Sequence, residues 1–441
     1  MLETSLGFLQ RPAFMSDLPK LRFPLIDRLR LVLSILRSEK QLIFTLPLGL
    51  VAAILIVVAR PFVLVRVGFL HSDRIGHFTI NHELFLCEEA GLENKRGKKP
   101  FDIYYFGRIP VCNEQLARMW SRRLRIWPRI MLRPISLIMR SVGALEQHVC
   151  GEPVSGTCDI YNLLDSSLAQ LSFTDLEEEY GKKLLQEMGI PANRDFICLI
   201  SRDRKYLDGL YGKAADYHNY RNVNISNFLF AAEELAKLGY YVLRMGSVVE
   251  EPLRSDNPMV IDYATNGMRS DFMDVFLGAK CLFCISTSTG FDGIPTIFRK
   301  PLVIVNHAPA AWLPTFWSKS IVLLKHHRYL DGGEELGLTE ILQSNAARAM
   351  STMEFLENGI VLIENSPQEI SDACLEMVKK IEGNWILDTD ELELQNRFRA
   401  IFHGHARSFV SSSSGRPMHG EIFCSYSTKF LKNQTFFLGN S

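Results

Sequence analysis

Between residues 196 and 366, short uninterrupted apolar segments alternate with segments of helical periodicity, and no other feature constrains the fold as strongly. The apolar segments include 196–200, 240–244, 281–285 and 301–305. Strands that are apolar on both faces are typical of a parallel sheet that helices cover on its two sides. The pattern therefore predicts a Rossmann-like α/β unit in this half of the chain.

A shorter version of the same pattern precedes this unit. An apolar segment at 62–68 leads through a polar loop to a helical pattern at 78–87 and a second apolar segment at 101–106. Strand–loop–helix–strand is the start of an α/β unit, so we expect two Rossmann-like domains that face one cleft. The predicted division is a membrane-associating segment at 1–60, an N-terminal domain at 61–190, a C-terminal domain at 191–405 and a flexible tail at 406–441.

The composition excludes several classes of protein. Lys and Arg together number 49, as do Asp and Glu, and this balance argues against a nucleic-acid partner. A hydrophobic share of 47% and a charged share of 22% are those of a globular protein, not of a disordered or fibrous one.

The cysteines indicate a reducing compartment. All nine are scattered, and only Cys281 and Cys284 have C-x-x-C spacing, with no second pair to complete a zinc site. We therefore expect reduced thiols and a cytoplasmic location for the folded domains.

A charge-free apolar run of 18 residues at 42–59 follows a basic segment of roughly helical periodicity at 20–40. The run is at the lower limit of length for a membrane-spanning helix, and Pro47 and Gly49 allow a bend near its start. A simple span would export the cysteine-rich remainder, so we expect a re-entrant or monotopic helix on the cytoplasmic face of the inner membrane. The alternative is a buried helix of a soluble domain.

A second segment, 115–144, contains seven arginines and no acidic residue, with Trp120 and Trp127 among them. Arginine, tryptophan and aliphatic residues together suit an interface with anionic lipid. One alternative is a basic face packed against acidic residues such as Glu177, Glu178 and Glu179. An RNA-binding helix is less consistent with the pattern, because no stacking module surrounds it.

A hydroxyl-rich turn follows the predicted strand at 281–285 and precedes a predicted short helix. Its residues are Ser286, Thr287, Ser288, Thr289 and Gly290. Such a turn at the carboxyl end of a parallel strand presents backbone N–H groups and a helix start, and this combination binds phosphate. The pattern is neither a P-loop nor the dinucleotide fingerprint, which disfavours kinase and NAD chemistry.

Two further strand ends carry charged residues. Arg202 and Asp203 follow the strand at 196–200, and Arg244 and Gly246 follow the next strand along the chain. Ligands of open parallel sheets bind beyond the carboxyl ends of the strands. We therefore expect the two arginines to neutralise a pyrophosphate group.

The element order from Val260 to Asn306 resembles the nucleotide-binding half of GT-B glycosyltransferases, especially heptosyltransferase-like enzymes. The residues that carry this likeness are Ile261, Asp262, Ser270, Asp271, the run 285–290 and the run 299–303. Four further stretches are similar to a bacterial glycosyltransferase family of surface-polysaccharide loci, namely 74–78, 220–222, 239–246 and 269–274.

This resemblance implies that the domain at 191–405 binds a nucleotide sugar as co-substrate and that the domain at 61–190 receives a glycan or lipid-linked acceptor. It adds Asn222, Asp262 and Asp292 to the donor-binding candidates. Asp292 departs from the pattern, since heptosyltransferases place a histidine shortly after the glycine of the turn. The resemblance also implies no cofactor and no metal, and the chain has no Asp-x-Asp motif. The absence of Glu from 286–306 favours inversion of the sugar carbon.

His77 is the candidate catalytic base, because the loop after the first strand supplies that group in several inverting GT-B enzymes. A neutral imidazole can take the proton of an acceptor hydroxyl at neutral pH. Asp73 and Glu83 are alternative bases, and His77 alternatively caps its helix or contacts phosphate. The functions that compete with sugar transfer are transfer of a nucleotide-activated phospho-alcohol and an inactive carbohydrate-binding scaffold.

Overall fold

The computed structural model describes residues 39, 41–93, 99–153, 158–205, 218–411 and 417–439. Its strands are β1 Val65–Leu70, β2 Phe101–Phe106, β3 Val149–Cys150, β4 Phe196–Ile200, β5 Tyr241–Arg244, β6 Val260–Ile261, β7 Cys284–Ser286, β8 Leu302–His307, β9 Ser320–Leu324, β10 His326–Tyr329, β11 Ile360–Ile363 and β12 Ser425–Tyr426. Its α-helices are α1 Gln41–Val58, α2 Ile75–Glu93, α3 Glu114–Arg123, α4 Arg129–Ser141, α5 Leu163–Ser166, α6 Asp175–Glu187, α7 Leu229–Lys237, α8 Asp271–Lys280, α9 Gly293–Ile297, α10 Leu338–Gln343, α11 Thr352–Glu357, α12 Pro367–Ile381, α13 Thr389–Ala406 and α14 Thr428–Asn433.

The N-terminal sheet has the order β2-β1-β3 and is parallel throughout. Alternate side chains of a strand point to opposite faces, so Val67 and Phe69 pack under α1 and α4 while Leu70 packs under α2. Gly49 lets α1 cross α4 closely, because a Cβ atom there would lie 2.7 Å from the Cβ of Pro134. This small sheet is therefore covered by helices on both faces.

The C-terminal sheet has the order β12-β9-β8-β7-β4-β5-β6, and every pair in it is parallel. The chain begins at β4, adds β5 and β6 on one side, and then returns to add β7, β8 and β9 on the other. The direction of addition therefore reverses between β4 and β7, which is the topological switch point where such sheets bind ligands. The mixed α/β class with two parallel sheets is confirmed.

The two sheets share one continuous hydrophobic core. Helix α2 of the first unit packs against α9 of the second, where a Cβ atom added to Gly293 would lie 2.0 Å from the Thr79 hydroxyl oxygen. Phe173 packs against Phe276 of α8 with ring centroids 5.3 Å apart. The faces of the predicted cleft therefore touch directly along α2.

The C-terminal segment corrects one prediction. Residues 417–439 are not a flexible tail, because β12 pairs with β9 at the edge of the large sheet. Tyr426, Phe430 and Phe437 are buried in the core, and aromatic burial of this size holds the segment in place.

The basic segment at 115–144 is largely compensated by acidic side chains within the protein. Arg122 pairs with Glu177 at 2.9 Å, as the packing alternative predicted. Arg129 and Arg133 both contact Glu39 at the start of α1, and Arg140 lies 2.8 Å from Glu152. These four arginines are thus engaged in ion pairs with carboxylates of the chain itself.

The apolar run at 42–59 forms α1, which lies on α4. Within the described ranges, no helix combines the length and the hydropathy needed to cross a bilayer. The basic segment at 20–40 lies outside the described residues except for Glu39. All nine cysteines are free, and seven of them are buried.

Candidate active site

The predicted donor residues of β4 and β7 meet at the topological switch point. The backbone N–H of Arg202, just after β4, donates to the hydroxyl oxygen of Thr287, just after β7, at 3.0 Å. This bond ties the two strand ends together at the edge where a ligand is expected. The segment after β4 and the hydroxyl-rich turn after β7 therefore lie side by side.

The hydroxyl groups of the turn bond within the protein. The Ser286 hydroxyl donates to Asp292, and the Thr289 hydroxyl donates to the same carboxylate at 3.2 Å. Burial raises the pKa of Asp292 to about 6, while the donated hydrogen bonds oppose that rise. Asp292 therefore holds the shape of the turn. Because these hydroxyls already donate to Asp292, a phosphate at the turn would bind to backbone N–H groups and to nearby cations.

Ser288 bonds to a histidine that the sequence analysis did not single out. Its hydroxyl lies 2.6 Å from Nδ1 of His307, whose Nε2 lies 3.1 Å from the carbonyl oxygen of Pro309. Burial lowers the pKa of His307 to about 3, so the ring is neutral. Because Nε2–H donates to Pro309, Nδ1 accepts the proton of Ser288, and the pair fixes the left-handed backbone of Ser288 at φ 58°.

Two cations, the buried Lys325 and the partly buried Arg221, lie beside this pair. Arg221 donates to the carbonyl oxygen of Ser288, and Nζ of Lys325 donates to the carbonyl oxygen of Asn222 at 2.8 Å. Burial lowers the pKa of Arg221, and it lowers that of Lys325 to about 8. These pKa values are lowered because burial removes water from the positive charges. A bound anion would replace part of that lost stabilisation, so the two cations favour an anion beside them.

Arg244, which was predicted to neutralise a pyrophosphate group, lies between two carboxylates of the chain. The guanidinium is 1% exposed and lies 3.7 Å from Asp203 and 3.5 Å from Asp262. Asp262 also accepts the backbone N–H of Leu253 at 2.8 Å, which holds the loop that contains Gly246. Arg244 therefore neutralises two carboxylates of the chain, and its contact with a pyrophosphate group stays a prediction.

A polar cleft of about 230 Å³ opens beside Arg244. The hydroxyl of Ser201 and Nε of Arg244 are buried there without a hydrogen-bond partner in the described part of the chain. The cleft is lined by Ser201, Asp203, Val223, Asn224, Ile225, Arg244, Glu250 and Glu251. Unsatisfied polar atoms together with two apolar side chains make this cleft suited to a small polar ligand.

His77 lies at the start of α2 in a group of three histidines. Its Nδ1 is 3.4 Å from Oδ1 of Asn81, and its ring centroid is 5.8 Å from that of His71. Burial lowers the pKa of His71 to about 4 and that of His82 well below its ordinary value. Both neighbours are neutral near pH 7, so they place no positive charge beside the half-buried His77.

The two alternative bases are placed differently. The Asp73 carboxylate stays partly exposed, 4.0 Å from Nε of Arg74. The side chain of Glu83 is fully buried, accepts the backbone N–H of Gln170 and pairs with Arg299 at 2.7 Å. Glu83 joins α2 to the segment after α9, and its burial removes it from the candidate bases.

The His77 loop and the hydroxyl-rich turn face each other at close range. A Cβ atom added to Gly76 would lie 3.1 Å from Cα of Gly290, and one added to Gly290 would lie 3.3 Å from the backbone N of Gly76. Only residues without a side chain permit this approach. The candidate base of the first unit and the candidate phosphate turn of the second thus share one site.

The sequence analysis missed His307 and Lys325 because the end of β8 was misplaced and β9, which precedes Lys325, was not predicted. The strand predicted at 301–305 continues to His307, and β9 was not predicted at all. The apolar run 321–324 was the available signal for β9. No group of three His, Cys, Asp or Glu side chains within the described ranges is placed to hold a metal ion.

No family model matches the chain, and no curated protein matches its sequence. Its fold is similar to that of ADP-heptose LPS heptosyltransferase II from E. coli, with 12% identity over 72% of this chain and 99% of that chain and a TM-score of 0.39. It is also similar to a family 9 glycosyl transferase from Veillonella parvula, with 10% identity over 71% of this chain and 97% of that chain and a TM-score of 0.43. These likenesses concern the arrangement of the backbone alone.

Proposed function

We propose that this chain is a glycosyltransferase that moves a sugar from a nucleotide-activated donor to a hydroxyl group of a glycan or lipid-linked acceptor, in the assembly of a surface polysaccharide. The observation that carries the proposal is the contact of Gly76 with Gly290, which places His77 opposite the turn at the switch point of the large sheet. A base and a phosphate site on two facing sheets are the two parts that such a transfer needs.

In the proposed reaction, His77 accepts a proton, and Arg221 and Lys325 stabilise the leaving group. The acceptor oxygen attacks the anomeric carbon and its proton passes to Nε2 of His77, whose Nδ1 faces Oδ1 of Asn81. The bond from the sugar to the nucleotide diphosphate breaks, and the electron pair leaves with the diphosphate. Arg221 and Lys325 stabilise that developing charge, which makes a metal-independent, inverting displacement the form of the reaction that we propose.

A panel of ADP-, GDP- and UDP-activated sugars tests the proposal on the full chain. We expect one donor to be hydrolysed slowly alone and to be turned over faster when a glycan or lipid-linked acceptor is present. Binding of a nucleotide sugar without any hydrolysis or transfer would favour the inactive scaffold instead. The internal hydrogen bonds of the turn hydroxyls are the observation that supports that alternative.

Lys325 makes donor binding depend on pH. Its pKa of about 8 keeps it charged below that pH and neutral above it, and only the charged form attracts phosphate. We therefore expect the affinity for the nucleotide diphosphate to be constant below pH 7 and to fall above pH 8. The affinity should fall by about 10- to 100-fold in total, which corresponds to the free energy of one charge-assisted hydrogen bond.

Titration calorimetry between pH 6.5 and pH 9.5 measures this dependence. Lys325→Met should bind weakly at every pH and lose the dependence. Lys319→Met is the matched control, because Lys319 is exposed just before the opposite end of β9. An affinity that falls equally in wild type and Lys325→Met would remove Lys325 from the donor site.

A further inference from the structure

Helix α1 is apolar on every side from residue 42 onwards, although the described residues cover only one of its sides. Leu42, Gly49 and Ala53 are buried along the stripe that faces α4. Apart from Gln41 and Thr45, the other side chains of the helix are also apolar, where a surface helix of a globular protein carries polar residues. Thr45 is the single polar side chain between residues 42 and 59, and its hydroxyl donates to the carbonyl oxygen of Leu42.

The uncovered side is large and continuous along the helix. Phe44 is 81% exposed, Leu48 74%, Leu55 62% and Val58 66%. Phe62 extends the surface beyond the end of the helix, and Ile130 and Met131 extend it on α4 near the start of α1. We call this surface the α1 face; its exposed members are Ile43, Phe44, Leu48, Leu50, Val51, Ile54, Leu55, Val58, Phe62, Ile130 and Met131.

The side chains of the α1 face indicate what kind of partner can cover it. Protein interfaces carry about one hydrogen bond per 100–200 Å² and a polar rim. Over a helix of about 27 Å the α1 face offers neither a charge nor an available hydrogen-bonding side chain. Acyl chains require none, and headgroups would meet the exposed Arg60, which lies just after α1, and the half-exposed Trp127, which lies just before α4.

We propose that the α1 face docks into the acyl region of a lipid bilayer, with α1 parallel to the membrane surface. The attachment is apolar, because Arg122, Arg129, Arg133 and Arg140 already pair with carboxylates of the protein. The binding should therefore persist at high salt, unlike binding through a basic surface.

The direction of α1 places the candidate site near that membrane. Glu39 at the start of α1 contacts Arg129, whose Nε donates to the carbonyl oxygen of Gly107 just after β2. Gly107 in turn donates its N–H to Leu70 at the end of β1. The start of α1 and the His77 loop therefore lie at the same edge of the small sheet, within reach of a substrate anchored in lipid.

Vesicle flotation of the full chain tests the proposal. The probes are vesicles of phosphatidylcholine alone and of phosphatidylcholine with phosphatidylglycerol, each at about 0.1 M and about 1 M NaCl. Wild type should float with both vesicles at both salt concentrations. The double variant Leu48→Glu/Leu55→Glu should reduce partitioning on the order of 10²-fold, because two large apolar side chains are replaced by charges.

The matched control is Leu176→Glu/Ile386→Glu, which changes two comparably exposed apolar residues, one on α6 and one in the loop before α13, and should float like wild type. Thermal melting of each variant verifies that the fold is intact. Binding that disappears at about 1 M NaCl and survives Leu48→Glu/Leu55→Glu would overturn the proposal in favour of a basic surface. A wild type that floats with neither vesicle would also overturn it, and dimers that Leu48→Glu/Leu55→Glu dissociates would then identify a second copy as the partner.

Discussion

Replacement of His77 by alanine is expected to reduce sugar transfer by about 10²- to 10⁴-fold and to leave the affinity for the nucleotide donor nearly unchanged. The physical reason is that a general base acts on the acceptor proton and contributes little to binding of the donor. Nδ1 of His77 lies 3.4 Å from Oδ1 of Asn81, and in the proposed reaction Nε2 accepts the proton. Initial rates with saturating donor and acceptor measure the loss, and calorimetry measures donor affinity.

His403→Ala is the matched control, because His403 is exposed on α13 and should tolerate the change. If His77→Ala weakens donor binding as much as it slows transfer, His77 is a phosphate contact. In that case Asp73, which remains partly exposed at the same loop, is the next candidate base. Turnover near the wild-type rate would remove His77 from the site.

Arg299→Met is expected to destabilise the protein by about 3–5 kcal/mol near pH 8, because it leaves the carboxylate of Glu83 buried without its partner. The Glu83 side chain is fully buried and that of Arg299 is 14% exposed, so little solvent screens the pair. Burial raises the pKa of Glu83 to about 7 despite Arg299. A raised carboxyl pKa stabilises the fold at low pH, and that contribution is lost as pH rises from 4.5 towards 7.

Without Arg299 the pKa of Glu83 should rise further, so the destabilisation should be smaller at pH 5 than at pH 8. Denaturant unfolding at the two pH values measures the difference. Glu83→Gln/Arg299→Met should recover much of the stability at pH 8, and the exposed Arg407→Met is the control for loss of an arginine. Equal destabilisation at both pH values would show that the charge of Glu83 is not the cause. Arg299 would then stabilise the fold through the hydrogen bonds that its guanidinium donates to the carbonyl oxygens of Ser167 and Leu168.

Local patterns were enough to predict most elements of the large sheet. The strand at 196–200 has the predicted bounds, and Ser270 caps α8 by accepting the N–H of Met273 at 3.1 Å. These features depend on periodicity and on side chains within a few residues of one another. β12 was missed because two residues paired at a sheet edge leave no periodic signal.

The sequence by itself determined the α/β class, the turn at 286–290 and the position of His77 at the start of a helix, because each depends on contacts local in the chain. Only the tertiary structure decided which charges are compensated. Glu83 meets Arg299 across 216 positions, and Arg244 meets Asp262 across a sheet edge, so neither partner is visible from spacing. Burial and pairing depend on how the two sheets pack together, and they separate the half-buried His77 from the buried Glu83 as a candidate base.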